Sequence, residues 1–97
     1  MYQTKEALTL REKLSEEHAE SRKRMIRLKG KLESFCVALD LATVHVEISL
    51  QGLDVPETEQ AFRNLPSFEE LLSASTQYRR ELRRSVELAA ALAECHQ

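Results

Sequence analysis

Residues 28–53 read LKGKLESFCVALDLATVHVEISLQGL, and they decide the fold because they hold a glycine, a strand-like alternation and a stop signal. Apolar residues recur here at alternating steps of three and four, which predicts a helix with a coiled-coil-like heptad pattern. The pattern keeps its phase across Gly30, so we predict one helix rather than a turn between two shorter ones. Strict alternation over 44–50 favours a strand instead, but a lone strand would have no partner within the chain.

The same stripe extends towards the N-terminus, and the helix that carries it ends at Gly52. Glycine readily takes the left-handed conformation that closes a helix in a Schellman motif, with Leu53 near Ile48. We therefore predict a first helix over about residues 5–51. Its inner stripe comprises Ala7, Leu10, Leu14, His18, Ser21, Met25, Leu28, Leu32, Phe35, Leu39, Ala42 and Val46.

A connection rich in capping residues separates this helix from a second long one. The spacing of Asp54 and Glu57 matches a capping box, which predicts a short helical turn over 56–63. Ser67 can cap a second helix over 67–94. The predicted inner stripe of that helix comprises Phe68, Leu72, Ser75, Tyr78, Leu82, Val86, Ala89 and Ala93.

These elements predict an all-α fold, a long antiparallel helical hairpin that forms a single domain over residues 1–97. Counting equal rise along both helices from the connection puts Leu39 opposite Arg79 and Leu28 opposite Ala90. The second helix then ends near the level of Ser21. The first twenty residues are therefore predicted to overhang, which exposes Leu10 and Leu14.

The first helix has more apolar surface between residues 35 and 48 than one facing helix can cover. Its inner stripe is one apolar face, and Val37, Leu41, Val44 and Ile48 form another at steps of four, three and four. Burial of such side chains is worth roughly 1.5–3 kcal/mol each. We therefore expect these four residues, with Leu10 and Leu14, to contact a second copy in a four-helix bundle. A helix of another protein would fit the same surface.

Composition excludes several classes of protein. Of the 97 residues, 42% are hydrophobic and 31% charged, and the net charge is −2, so no overall field attracts nucleic acid or acidic lipid. The longest apolar run, Leu88 to Ala93, is far shorter than the ~20 residues of a membrane span. Without a signal-peptide pattern, and with two cysteines that are far apart in sequence, we expect a cytoplasmic protein with reduced thiols and no membrane partner.

The residue types that carry chemistry do not form a recognisable site. Neither Glu-x-x-His nor Cys-x-x-Cys occurs among His18, His45, His96, Cys36 and Cys95, so we predict no metal site. No nucleophile motif or phosphate-binding glycine loop is present, so we predict no catalytic or cofactor-binding residue and no enzyme. Cys36 is expected to be a small buried residue. A histidine at the interface would make dimerisation pH-sensitive, but we favour partly exposed side chains.

Two basic clusters support an alternative function. They comprise Arg22, Lys23, Arg24, Arg27, Arg79, Arg80, Arg83 and Arg84. Such a band can contact nucleic-acid phosphates, as in a nucleic-acid-associated regulator. No aromatic residues lie between them for base stacking, and neighbouring glutamates dilute the charge, which favours a solvated flank with Glu–Arg pairs. A small secretion or assembly chaperone is the third hypothesis.

Overall fold

The fold is all-helical over the part of the chain that the structure describes. The computed structural model describes residues 5–95, apart from the side chains at positions 5, 7 and 8. It contains helices α1 (Lys5–Leu50), α2 (Glu57–Arg63) and α3 (Phe68–Cys95), and α1 packs on α3 as a helical hairpin. No strand occurs within residues 5–95, so the strand alternative for 44–50 is wrong.

Helix α1 continues through Gly30 and ends as its sequence predicts. Gly52 has a φ of 77°, the left-handed conformation of a C-terminal glycine cap. Its N–H donates to the carbonyl of Ser49 at 2.9 Å, and the N–H of Leu53 donates to the carbonyl of Ile48 at 3.3 Å. These are the two hydrogen bonds of a Schellman motif, so the predicted stop is confirmed.

The two later helices begin in different ways. The predicted capping box at α2 does not form: Pro56 precedes the helix with a φ of −56°, and no side chain caps it. A proline at this position costs no hydrogen bond because the first N–H groups of a helix have no partner within it. At α3 the N–H of Glu70 donates to Ser67 Oγ at 3.1 Å, which confirms Ser67 as the cap.

The chain forms two compact units. Unit 1 comprises residues 1–28 and 76–97, and unit 2 comprises residues 29–75. The buried apolar residues of unit 1 are Leu28 and Leu88, and those of unit 2 are Ala42, Ala61 and Ala74. Alanine lets helices approach closely but removes little apolar surface from water. The fully buried part of the core of unit 2 is therefore thin, and larger side chains such as Phe35 and Ile48 are only half-buried.

In unit 1, α1 and α3 pair in a register that the sequence does not predict. Ser21 Oγ donates to the carbonyl of Glu81 at 3.4 Å, and Arg24 Nε donates to Glu81 Oε1 at 2.9 Å. The predicted register puts Ser21 opposite the C-terminal end of the chain. The observed register therefore differs from the predicted one by about 24 Å along the helix axes. The predicted overhang of the first twenty residues is wrong, because Arg84 of α3 also pairs with Glu17.

The cause of this shift lies in unit 2. The connection folds back along α1 instead of turning directly into α3. Thr58 Oγ1 lies 2.9 Å from His45 Nδ1, and the adjoining Ala61 is only 3% exposed. The connection thus occupies the part of α1 that the prediction assigned to α3.

The buried face of α1 also turns away from the predicted stripe in unit 2. From Leu14 to Phe35 every member of the stripe is buried or half-buried, whereas Leu10 is exposed and the side chain of Ala7 lies outside the described residues. Beyond Phe35, Ala38 is half-buried and His45 is buried, whereas the predicted inner residues Leu39 and Val46 are exposed. A fixed heptad count fails here because the segment packs on the short α2 and an irregular connection rather than on a long straight helix.

Helix α3 buries a different line from the one predicted. Ser85 and Leu88 are buried, whereas Val86 and Ala89, one residue further along, are exposed. This helix has two adjacent apolar lines. The line that includes Ser85 and Leu88 also carries Glu81, and it faces α1. The stripe predicted to be internal is therefore largely a surface stripe.

Candidate interaction surface

The second apolar face that the sequence assigns to α1 lies on the surface of unit 2. Val37 is 68% exposed, Leu41 47% and Val44 48%. We call these three residues the outer seam. Ile48, the fourth predicted member, is half-buried, so it joins the outer seam to the core.

Helix geometry explains why the outer seam faces away from the core. Its members recur at steps of four and three and therefore follow one line along α1. Ala42 and His45, which directly follow Leu41 and Val44, are buried. Since one residue advances a helix by about 100°, the outer seam lies roughly that far round from the buried face. Its residues remain 47–68% exposed in the isolated chain.

A second apolar line is exposed on the opposite flank of the same helix. It consists of Leu39, Val46 and Leu50. The heptad pattern does not indicate this surface, because it assigns Leu39 and Val46 to the inner stripe. Ala38 is the sequence signal that could have indicated this exposed line. Its small side chain suits close packing against a neighbouring element better than Leu39 does, so Ala38 rather than Leu39 faces the core. From residue 36 to 50, α1 is therefore apolar on both sides of its buried face.

An acidic line runs beside the outer seam. Glu33, Asp40 and Glu47 follow one another at seven-residue intervals, and all three are exposed. No basic residue occurs between Lys31 and Arg63. Unit 2 as a whole has three basic and eight acidic residues. The surface thus combines an apolar stripe with a negative edge.

The other predicted contact residues lie in unit 1. Leu10 is exposed, and Leu14 is half-buried. Farther along α1, His18, Arg22, Met25 and Ile26 line an open depression of about 340 Å³ together with Ser85 of α3. Its lining combines apolar side chains with a guanidinium and an imidazole, which suits a side chain that carries both an apolar part and a carboxylate.

Many residues of the predicted basic clusters in unit 1 form ion pairs. The hydrogen bond from Arg24 is the main cause that lowers the pKa of Glu81, while desolvation opposes it, and the same bond raises the pKa of Arg24. Arg84 pairs with Glu17 at 3.4 Å, and Lys23 with Glu20 at 3.3 Å. The Arg84–Glu17 and Lys23–Glu20 pairs are those of a solvated flank, whereas the Glu81 side chain is only 15% exposed. The exposed remainder includes Arg22, Arg27, Arg80 and Arg83.

The histidines and cysteines are dispersed. His45 is buried against Thr58, and one of the two donates to the other according to the imidazole tautomer. Cys36 is exposed, which contradicts its predicted burial, and Cys95 is half-buried; both thiols are free. His96 lies outside the described residues. Among those that are described, no three His, Cys, Asp or Glu side chains come together as metal ligands.

The described helices also contain no segment both long and apolar enough to cross a membrane. Comparison with protein-family models, with curated proteins and with solved structures gives no match. The function must therefore be argued from the surface of this chain.

Proposed function

We propose that the protein is a non-enzymatic interaction module that self-associates through the outer seam, as two hairpins in a four-helix bundle. The observation that carries the proposal is the exposure of Val37, Leu41 and Val44 in series on one line of a regular helix. Contiguous apolar surface of this kind is typical of protein–protein contact sites.

The energy at stake is large for a small chain. Complete burial of one such side chain contributes roughly 1.5–3 kcal/mol, and the whole stability of a typical domain is about 5–15 kcal/mol. The buried apolar residues of unit 2 are alanines, which contribute less. Association through the outer seam would therefore add substantially to the stability of this unit.

Charge favours a second copy as the partner. The outer seam is flanked by Glu33, Asp40 and Glu47, so its partner needs an apolar stripe and basic residues nearby. The chain itself carries both, because residues 1–28 and 76–97 have eleven basic and eight acidic residues, the reverse of unit 2. Charge complementarity of this kind sets register and orientation at interfaces.

The decisive experiment is sedimentation equilibrium on the full chain at micromolar concentration. We expect a dimer for the wild type and a monomer for the double variant Val37→Glu/Val44→Glu, because a carboxylate at each position would have to be desolvated where the contact buries an apolar side chain. The far-ultraviolet circular dichroism of the variant should remain helical, since both positions are exposed in the isolated chain. A well-folded wild-type monomer would refute the proposal.

A matched control lies on the same helix. Leu39→Glu/Val46→Glu places the same charges on the opposite exposed flank, and we expect it to retain most of the association. If this pair dissociates the dimer while the Val37/Val44 pair does not, the interface is on the other flank and the outer seam is excluded.

The exposed arginines Arg22, Arg27, Arg80 and Arg83 favour nucleic-acid binding as a second candidate function. Phosphate neutralisation by such residues predicts affinity for duplex DNA that falls steeply as salt concentration rises. Fluorescence anisotropy with labelled duplex across a salt series tests this. Absence of binding at low salt would remove the second candidate and leave self-association unaffected.

A further inference from the structure

The two glycines of the chain differ in whether the fold requires them. Gly52 has a φ of 77°, which residues with a side chain rarely adopt. Gly30 lies inside α1, in helical conformation and exposed. A Cβ added there would meet no atom within 4 Å apart from the adjacent residues and backbone of its own helix. Nothing in the described part of the chain therefore requires glycine at position 30, although it costs α1 about 1 kcal/mol relative to alanine.

The position of Gly30 on the helix supplies a reason. It precedes Val37 by one heptad and Val44 by two, and each heptad falls only about 20° short of two full turns. Gly30 therefore lies on the N-terminal extension of the outer seam, within unit 2. The line that we propose as the contact surface begins with a residue that has no side chain.

We propose that Gly30 is the point at which a helix of the second copy approaches α1 most closely. The distance between packed helices, usually 8–10 Å, depends on the side chains at the contact, and glycine permits the shortest one. In this arrangement the helix of the second copy covers the outer seam, which lies on the C-terminal side of Gly30 along α1. The inference rests on the proposed self-association and specifies where the two helices meet.

Substitution of Gly30 by alanine should have opposite effects on the isolated chain and on the dimer. Alanine improves helix propensity and has room in the isolated chain. In the dimer the added methyl group holds the second helix away and loosens the surrounding contacts. A merely tolerated surface glycine would show only the first effect.

The experiment measures association and chain stability separately. Sedimentation equilibrium of Gly30→Ala should give an association constant at least tenfold below wild type, and Gly30→Leu should reduce it further. In the monomeric Val37→Glu/Val44→Glu background, Gly30→Ala should raise the urea midpoint, which shows that alanine is accommodated. Cys36→Ala is the matched control, because Cys36 is exposed on the same helix but lies off the outer seam, and it should leave association unchanged.

The outcomes separate this inference from the proposed function. A monomeric wild type refutes both. Suppose instead that the wild type is a dimer and that Val37→Glu/Val44→Glu dissociates it. If Gly30→Ala and Gly30→Leu then leave association unchanged or strengthen it, only the role of Gly30 is refuted, because leucine would be extending the apolar stripe. An association constant that falls progressively from glycine to alanine to leucine at position 30 supports close approach of the two helices there.

Discussion

Unit 1 and unit 2 hold their helices together with different chemistry. In unit 1, charged side chains join α1 to α3 through the bonds of Arg24 to Glu81 and of Arg84 to Glu17. In unit 2, the fully buried apolar residues are alanines, and a polar side-chain bond joins His45 of α1 to Thr58 of α2. Charged pairs need exact partners and so fix a register, whereas alanine contacts tolerate several.

The surfaces of the two units differ in charge. Unit 1 is net basic and joins its helices by ion pairs, and it also exposes apolar side chains such as Ile26 and Val86, whereas unit 2 is net acidic. Unit 2 has the thinner core and nevertheless exposes the apolar outer seam. The difference indicates that unit 1 supplies the pairing specificity of the hairpin, and that unit 2 is where a partner would contribute most.

The largest expected effect tests how tightly unit 2 is packed. Ala61→Leu adds three carbons at a position that is 3% exposed. Because overpacking forces neighbouring elements apart, we expect a loss of about 2 kcal/mol in the free energy of unfolding, measured by urea denaturation. The control is Gln60→Leu at the exposed neighbouring position, which should change stability by less than about 0.5 kcal/mol. Equal effects at both positions would show that α2 is loosely attached.

A smaller effect is expected from the polar bond of unit 2. Thr58→Val keeps the shape of the side chain but removes the hydroxyl, which leaves Nδ1 of the buried His45 without its partner. The loss should be about 1 kcal/mol in the same assay. Thr58→Ser, which retains the hydroxyl, should recover most of it. If serine and valine are equivalent, the bond does not hold the connection against α1.

The smallest effect is expected from the ion pair of unit 1, and it depends on pH. Arg24 lowers the pKa of Glu81 below its ordinary value of 4.5. A carboxyl group whose pKa falls on folding stabilises the fold above its unfolded pKa, and this contribution is lost as pH falls through the folded value. The urea midpoint of Glu81→Gln should therefore lie below that of wild type at pH 7, and the gap should close in acid.

Glu87→Gln, on an exposed position of the same helix, is the control and should leave the midpoint at pH 7 unchanged. A gap for Glu81→Gln that stays constant from neutral to acid pH would show that its charge does not stabilise unit 1. The pairing of α1 with α3 would then depend on the buried Ser21 and Leu88 instead.

The helix boundaries could be predicted from sequence because each depends on residues within a few positions. The glycine at 52 and the serine at 67 act locally, and the heptad stripe carries α1 across Gly30. The register could not be predicted, because it depends on how residues 53–66 fold back. That choice is made by tertiary contacts such as those of Thr58 and Ala61, which no local pattern encodes.

The predicted surface depended on the same information. Periodicity alone predicts Val37, Leu41, Val44 and Ile48 as surplus apolar residues; the first three are exposed, whereas Ile48 is half-buried. Leu39 and Val46 were placed inside because a straight partner helix was assumed. The sequence can therefore show that α1 has too much apolar surface, but only the packing shows which lines remain uncovered.

Cys36 makes the natural chain convenient for spectroscopy. Its free thiol is exposed and precedes Val37, the most exposed member of the outer seam, while lying on another side of the helix. A nitroxide attached there, with Cys95 replaced by alanine, would put one spin on each copy without covering the apolar line. In the proposed dimer, dipolar coupling between the two spins would then give the separation of the two α1 helices at the level of residue 36.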